Sequence, residues 1–369
     1  MIQQQYPHFL GIITSYHNHK KRPPFLEASY FHQLAIVGKE LGIDIIVFNP
    51  KEVRWSNRKV PGWTVDKKGS WEKDVFPVPY LIYDRCYYLD QKHYQELKPF
   101  VQRIADDPNT RLLGRALKGK YQTFEILKKN PEILPYLPET TRYQKPSDVS
   151  HILNHQTTVL LKPNGGSHGR GVVAISKVPK GFLIQGRSKN NQSFKILVRS
   201  NTKLQQWIGQ FTQGSRYLIQ PFLQLTTLDH KPFDLRILVQ KNNRREWETT
   251  GIAVRMGQPH TITSNLHGGG EAAMLHPFLE KNFPQESRFD ILQKITWISK
   301  NVPPFIEKEH GPLVELGIDV GIDREANVWI LEVNSKPGRT IFIKTGELGV
   351  RQRAVQLPMQ YARSLLMGT

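Results

Sequence analysis

Three oxygen-bearing side chains, Asp319, Glu332 and Asn334, fall near the C-terminal end of the chain in segments that read as strands. Side chains alternate faces along a strand, so Glu332 and Asn334 in "ILEVNSKPG" (residues 330–338) share one face, with Leu331 and Val333 on the other. The preceding run "GIDVGID" is joined to "VWILEVN" by the short "REAN" connection, which suggests an antiparallel hairpin. Asp319 then sits beside Glu332 and Asn334. Two carboxylates and an amide oxygen suit a hard cation such as Mg²⁺, which prefers one or two carboxylates plus phosphate oxygens to an all-protein cage. Taken alone, the segment also reads as a solvent-facing strand followed by an ordinary turn.

Two further groups could handle phosphate. "LLKPNGGSHGRGV" (residues 160–172) carries Lys162 on a strand and then Gly165, Gly166, Ser167, Gly169 and Gly171 in a loop that leads into a second strand. Glycines let backbone N–H groups approach phosphate oxygens closely. No Lys-Ser/Thr pair follows them and strand rather than helix comes next, so neither the Walker A loop nor the dinucleotide fingerprint fits. A flap between two strands does, and so does a plain mobile hairpin. Arg236 and Arg255 lie on two strands predicted to pair across "KNNRREWE", with Asp234 on the face of Arg236. Arginine forks match phosphate and carboxylate oxygens. Asn265 and the glycines at 268–270 could present donors to the same group. The alternative is a surface Asp–Arg pair of little energetic weight.

The elements that must hold these residues begin with strand–helix–strand over residues 9–50, the unit of a parallel sheet. Residues 51–79, rich in Trp, Lys, Gly and Pro, take no firm assignment, and residues 80–88 read as a strand. A helix is expected over residues 119–130, with Phe124 and Leu127 inward. A second is expected from Asn201 as its cap. A third spaces Phe289, Leu292, Ile295, Ile298 and Val302 as one stripe. The closing helix contains Pro358 and is expected to kink or break there. The fold class is α/β (α+β). The 38% apolar content and 369-residue length suit a globular chain of two or three subdomains.

The order of these pieces resembles the ATP-grasp superfamily, over roughly residues 111–345. The resemblance implies a small N-terminal α/β (pre-ATP-grasp) domain over 1–110 and an ATP-grasp domain over 111–369, with a lid at 146–217 and a core and metal-site subdomain at 218–369. Lys120 and Lys162 match the superfamily's two nucleotide-contacting lysines, and "GGSHGRG" its phosphate flap. "LIQPF" matches the hinge whose backbone contacts adenine, placing Gln220, Pro221 and Phe222 there. Asp319, Glu332 and Asn334 match its metal ligands. "SNLHGGG" and "LEVNSKPG" are similar to the RimK-like branch of glutamate ligases, and the whole layout to YheC/YheD-type proteins of endospore-forming bacteria. The resemblance implies ATP and Mg²⁺, with Mn²⁺ as an alternative, and Arg236, Arg255 and Asn265 at the reacting groups. It implies carboxylate–amine ligation through an acylphosphate, with a link to spores. A kinase on the same fold and a spore-associated assembly protein that keeps the pocket are the competing implications. Lys336 and Arg339 depart from the pattern by adding charge after the last strand, either to bind an acidic group or as plain surface charge.

Lys and Arg number 51 against 32 Asp and Glu, a net charge of +19. That balance attracts polyanions such as nucleotide phosphates or acidic peptides and reads equally as a generally basic, solvated surface; as substrate, an acidic peptide or protein is expected. No nucleic-acid motif accompanies the charge, so no nucleic-acid partner is expected. A single cysteine, Cys86, allows no internal disulfide. With no evident secretion signal and no apolar run long enough to span a bilayer, the expected location is cytoplasmic.

Overall fold

A computed structural model describes residues 8–17, 21–88, 90–166, 169–259, 261–264 and 270–368. Three sheets organise it. The first holds β1 (Phe9–Ile13), β2 (Asp44–Phe48), β3 (Lys59–Val65), β4 (Trp71–Pro77), β5 (Leu81–Asp84) and β6 (Arg111–Leu113), in the order β4-β3-β2-β1-β5-β6. β1, β2, β5 and β6 run parallel, and helices α1 (Ala28–Glu40) and α2 (Gln91–Asp106) connect them. The unassigned stretch at 51–79 contains the antiparallel β3–β4 hairpin. β4 is largely exposed, so it lacks the apolar run that would have marked it. The first sheet is completed by β6, just past residue 110.

The second sheet follows α3 (Lys120–Leu127). It contains β7 (Thr141–Arg142), β8 (Thr158–Pro163), β9 (Val173–Val178), β10 (Gly181–Arg187), β11 (Ser193–Val198) and β12 (Tyr217–Pro221), ordered β11-β10-β9-β8-β12-β7 and antiparallel throughout. Helices α4 (Pro146–Ile152) and α5 (Asn201–Thr212) cover one face, packing Val149, Leu204 and Ile208 on Val159, Leu161 and Ile175. Lys162 alternates with Leu161 and so points to the uncovered face. The sheet reaches beyond the expected lid of 146–217 at both ends. The cap of α5 is Ser200, whose hydroxyl accepts from the Lys203 amide, rather than Asn201.

The third sheet holds β13 (Phe233–Lys241), β14 (Trp247–Met256), β15 (Glu271–Met274), β16 (Glu315–Ile322) and β17 (Val328–Asn334), ordered β15-β14-β13-β16-β17. α6 (Leu275–Asn282) and α7 (Gln285–His310) pack on one face. The buried stripe of α7 runs through Ile291, Ile295, Ile298, Val302 and Ile306. Phe289 stands 69% exposed, because the 3.6-residue period places Ile291 inward instead. α8 (Ile341–Lys344) and α9 (Leu348–Met367) lie on the other face. α9 runs through Pro358 as one helix, since Pro358 is itself buried and packing compensates the missing hydrogen bond. Val355, Met359 and Ala362 of α9 share a core with Leu10, Phe31 and Leu34, so the two ends of the chain pack together.

Ile298→Ala should therefore cost about 3 kcal/mol in urea unfolding, as for other large core truncations, whereas Phe289→Ala should cost under about 0.5 kcal/mol.

Candidate active site

β16 and β17 form the expected antiparallel hairpin, and Asp319 lies directly opposite Glu332. Simple alternation does not carry the pattern, however. The register shifts between Asp319 and Val320, so that Val320 pairs with Ile330 and Leu331 bulges. The bulge lets Ile330 and Val333 both enter the core while Glu332 and Asn334 leave it. Asn334 pairs with Gly317, two residues before Asp319 on β16. The three predicted metal-binding residues are thus neighbours on one face.

The arginines converge on the same point. Arg236 Nε donates to Asp319 Oδ1 at 2.6 Å, and Arg255 Nη2 lies 2.9 Å from Asp319 Oδ2. Arg255 Nε also donates to Asp234 Oδ1 at 2.5 Å, and Ser264 Oγ to Asp234 Oδ2 at 2.6 Å. This is a buried zigzag of charge rather than a surface pair. Burial alone would raise the Asp319 pKa, but the Arg236 and Arg255 guanidiniums outweigh it and hold the carboxyl below its usual range. Burial would likewise lower the Arg255 pKa, but Asp234 and Asp319 outweigh it and raise the value.

The lysines close the site from the second sheet's side. Lys120, at the start of α3, donates to Glu332 Oε1 at 2.6 Å and to the Gly166 carbonyl at 3.2 Å. Its helix is anchored by Asn164, whose carbonyl accepts from Lys120 N and whose side-chain oxygen accepts from Tyr121 N. Lys162 is buried and reaches the Leu331 carbonyl of the bulge at 3.4 Å. Burial, reinforced by Lys120, lowers its pKa to about 8, against the opposing pull of Glu332 and Asp319.

The flap glycines Gly165, Gly166, Gly169 and Gly171 follow β8. Gly166 takes φ +95°, which an L side chain rarely adopts, and its carbonyl meets Lys120 in that conformation. Ser167, Asn265 and the glycines at 268–269 lie outside the described residues. Gln220 and Pro221 end β12, and Phe222 follows, its amide on the Thr158 carbonyl at 3.4 Å. The Gln220 side chain is buried and donates to Thr140 Oγ1 at 2.6 Å. The ladder from β12 to β7 covers only Leu218 and Ile219, so it stops short of these three.

Among the described residues, four cations (Lys120, Lys162, Arg236, Arg255) face three carboxylates (Asp234, Asp319, Glu332). The donor set suits a divalent ion: two carboxylates and one amide oxygen leave coordination for phosphate oxygens. Lys120, Arg236 and Arg255 pair these carboxylates, whereas Lys162 meets a carbonyl.

Lys336 and Arg339 do not face the site as free charge. Lys336 Nζ donates to Asp84 Oδ1 at 2.6 Å and to the Cys86 carbonyl at 2.9 Å. Arg339 pairs with the fully buried Glu315 and stacks 3.9 Å from the centre of the Tyr30 ring. Glu315 went unremarked in the sequence. Its signal was a second carboxylate at the head of the strand that carries Asp319.

The depressed Lys162 gives a pH signature. An anionic nucleotide favours the charged amine, so ADP binding should take up protons near pH 8.5, and affinity should fall as pH rises through about 8. The unfolded chain keeps this proton up to the ordinary 10.5, so the destabilisation from Lys162 should be full below about pH 8 and fade as pH rises from about 8 to 10.5 in the ligand-free protein. Calorimetry in buffers of different ionisation heat checks the uptake, and Lys162→Met should abolish it.

A family model described as YheC/D-like ATP-grasp matches residues 109–365. The chain is 31% identical over 322 residues to the endospore coat-associated protein YheC of Bacillus subtilis (strain 168), covering 86% of this chain and 87% of that one. Its fold is similar to the crystal structure of D-cycloserine synthetase DcsG, with TM-score 0.54, 12% identity, and 94% and 98% of the two chains covered. It is also similar to D-alanyl-alanine synthetase A from Vibrio cholerae O1 biovar eltor str. N16961, with TM-score 0.53, 10% identity, and 98% and 99% covered. With its lysines, arginines and acidic hairpin gathered at one place, the chain belongs to the YheC/D-like ATP-grasp family.

Proposed function

We propose that this chain is an ATP-dependent, ADP-forming carboxylate–amine ligase. The observation that carries the reading is the convergence of Arg236 and Arg255 on Asp319, directly beside Glu332 and Asn334. Phosphoryl transfer demands positioning and charge neutralisation more than covalent help, and these residues supply both. Asp319, Glu332 and Asn334 would hold the Mg²⁺ or Mn²⁺ ion, whose chemistry is to neutralise phosphate charge. Lys120, Lys162 and the flap backbone from Gly165 to Gly171 would hold phosphate oxygens, and the backbone of Gln220, Pro221 and Phe222 the adenine.

In the first step a substrate carboxylate oxygen bonds to the γ-phosphorus and the bond to ADP breaks. Arg236 and Arg255 stabilise the transferring group and the resulting acylphosphate. In the second step an amine bonds to the acyl carbon, phosphate leaves and the amine loses a proton. The flap would shield the acylphosphate from water, and Asn265 would add a donor to the reacting group. The basic balance of +19 supports an acidic peptide or protein as substrate. The coat-associated name of the Bacillus subtilis relative supports a role in spore formation. In domain terms we read a pre-ATP-grasp unit up to Leu113, a lid built on the second sheet and a core built on the third.

Purified protein with ATP, Mg²⁺, pooled carboxylates including glutamyl peptides, and hydroxylamine should release ADP and form a hydroxamate. Asp319→Asn should lower that rate about 100-fold or more. Phosphorylation of a hydroxyl with no hydroxamate would replace the ligase reading with a kinase.

A further inference from the structure

Glu315 is fully buried, yet it takes no part in the chemistry above. It accepts from Tyr83 Oη at 2.5 Å, Arg85 Nη1 at 2.9 Å, Gln240 Nε2 at 2.9 Å and the Arg339 guanidinium. Burial would raise its pKa, but Arg339 and Arg85 outweigh that and keep it ionised. Tyr83 and Arg85 come from the first sheet, at and just beyond the end of β5; Glu315 and Gln240 come from the third. Arg85 is also paired by Glu27 within its own unit, and the Arg85–Glu315 and Lys336–Asp84 pairs cross from the first sheet to the third.

The cluster is connected to the candidate metal site by one strand and one turn. Glu315, Gly317 and Asp319 alternate onto the face of β16 opposite Leu316, Ile318 and Val320. The turn after Asn334 sits on Gly317, where an added Cβ would lie 2.8 Å from Pro337 Cβ and 3.1 Å from Arg236 Nη1. That turn is gripped at Ser335, whose hydroxyl accepts from Leu117 N at 3.0 Å, at Lys336 by Asp84, and at Arg339 by Glu315. We infer that Glu315 is a positioning residue: docking of β5 through Glu315 seats the 335–339 turn, and the turn sets Asn334 and Glu332 for the divalent ion. The inference rests on the metal reading proposed above. Coupling is reciprocal, so ion binding also tightens the docking of the first sheet.

The test is Mn²⁺ binding at saturating ADP, followed by the electron paramagnetic resonance of free Mn²⁺, with thermal unfolding measured in parallel. Glu315→Gln should raise the Mn²⁺ Kd about tenfold, as loss of groups that orient metal ligands does. Tyr83→Phe, which deletes one hydroxyl and keeps the ring, should move it less in the same direction and carries the test if Glu315→Gln fails to fold. ADP affinity without metal should stay unchanged in both. Val302→Ala, in the α7 core, should lower the Tm and leave the Mn²⁺ Kd alone. Unchanged Kd in the folded variants, or an equal rise in Val302→Ala, overturns the inference alone. A wild type that binds no Mn²⁺ with ADP overturns the site reading and the inference with it.

Discussion

Asp319 is held between two arginines in a place that excludes most water, and much of the surrounding structure serves that arrangement. A buried carboxylate is costly unless it is paired and hydrogen-bonded, and removing one partner of such a pair typically costs about 3–5 kcal/mol. Here the partners come from neighbouring strands: Arg236 lies opposite Asp319 on β13, and Arg255 on β14 reaches past it while Asp234 fixes its other edge. Arginine suits this role because its fork spans two acceptors at once. The register of the third sheet and the electrostatics of the site are therefore one constraint.

A second set of buried charges sits at the other end of β16. Glu315 starts the strand, and Asp319 follows four residues on, about 13 Å at strand rise. The first cluster holds Arg236 and Arg255 on Asp319, and the second joins the third sheet to the first. The turn that follows β17 reaches both, with Pro337 packed on Gly317, which Arg236 also covers, and Arg339 on Glu315. Lys336 and Arg339, which the sequence left as either binders of an acidic group or plain surface charge, are used in this joint.

Much of the site was legible because its residue types are unusual where they stand. Acids and an amide on an apolar hairpin, a glycine loop between strands and arginines on paired strands each showed in the letters, and Asp319, Glu332, Arg236, Arg255 and Lys120 lie close together in the structure. The bulge at Leu331 did not show. It inverts the side-chain parity of β17, and only the pairing partner reveals it. The β3–β4 hairpin was hidden because its outer strand is exposed and carries no apolar rhythm. Phe289 was misplaced because its helical spacing matched the stripe almost as well as Ile291 does, and only packing against the sheet separates them. Long-range partners such as Tyr83 and Glu315, 232 residues apart, leave no local trace at all.

Asp319, Glu332 and Asn334 are proposed to hold a divalent ion. Crystals grown with ADP and Mn²⁺ and measured at the manganese absorption edge would locate it directly. An anomalous peak among the Asp319, Glu332 and Asn334 oxygens is the expected result. A nucleotide bound with the peak away from those three side chains, or with Arg236 and Arg255 turned away from its terminal phosphate, would contradict it.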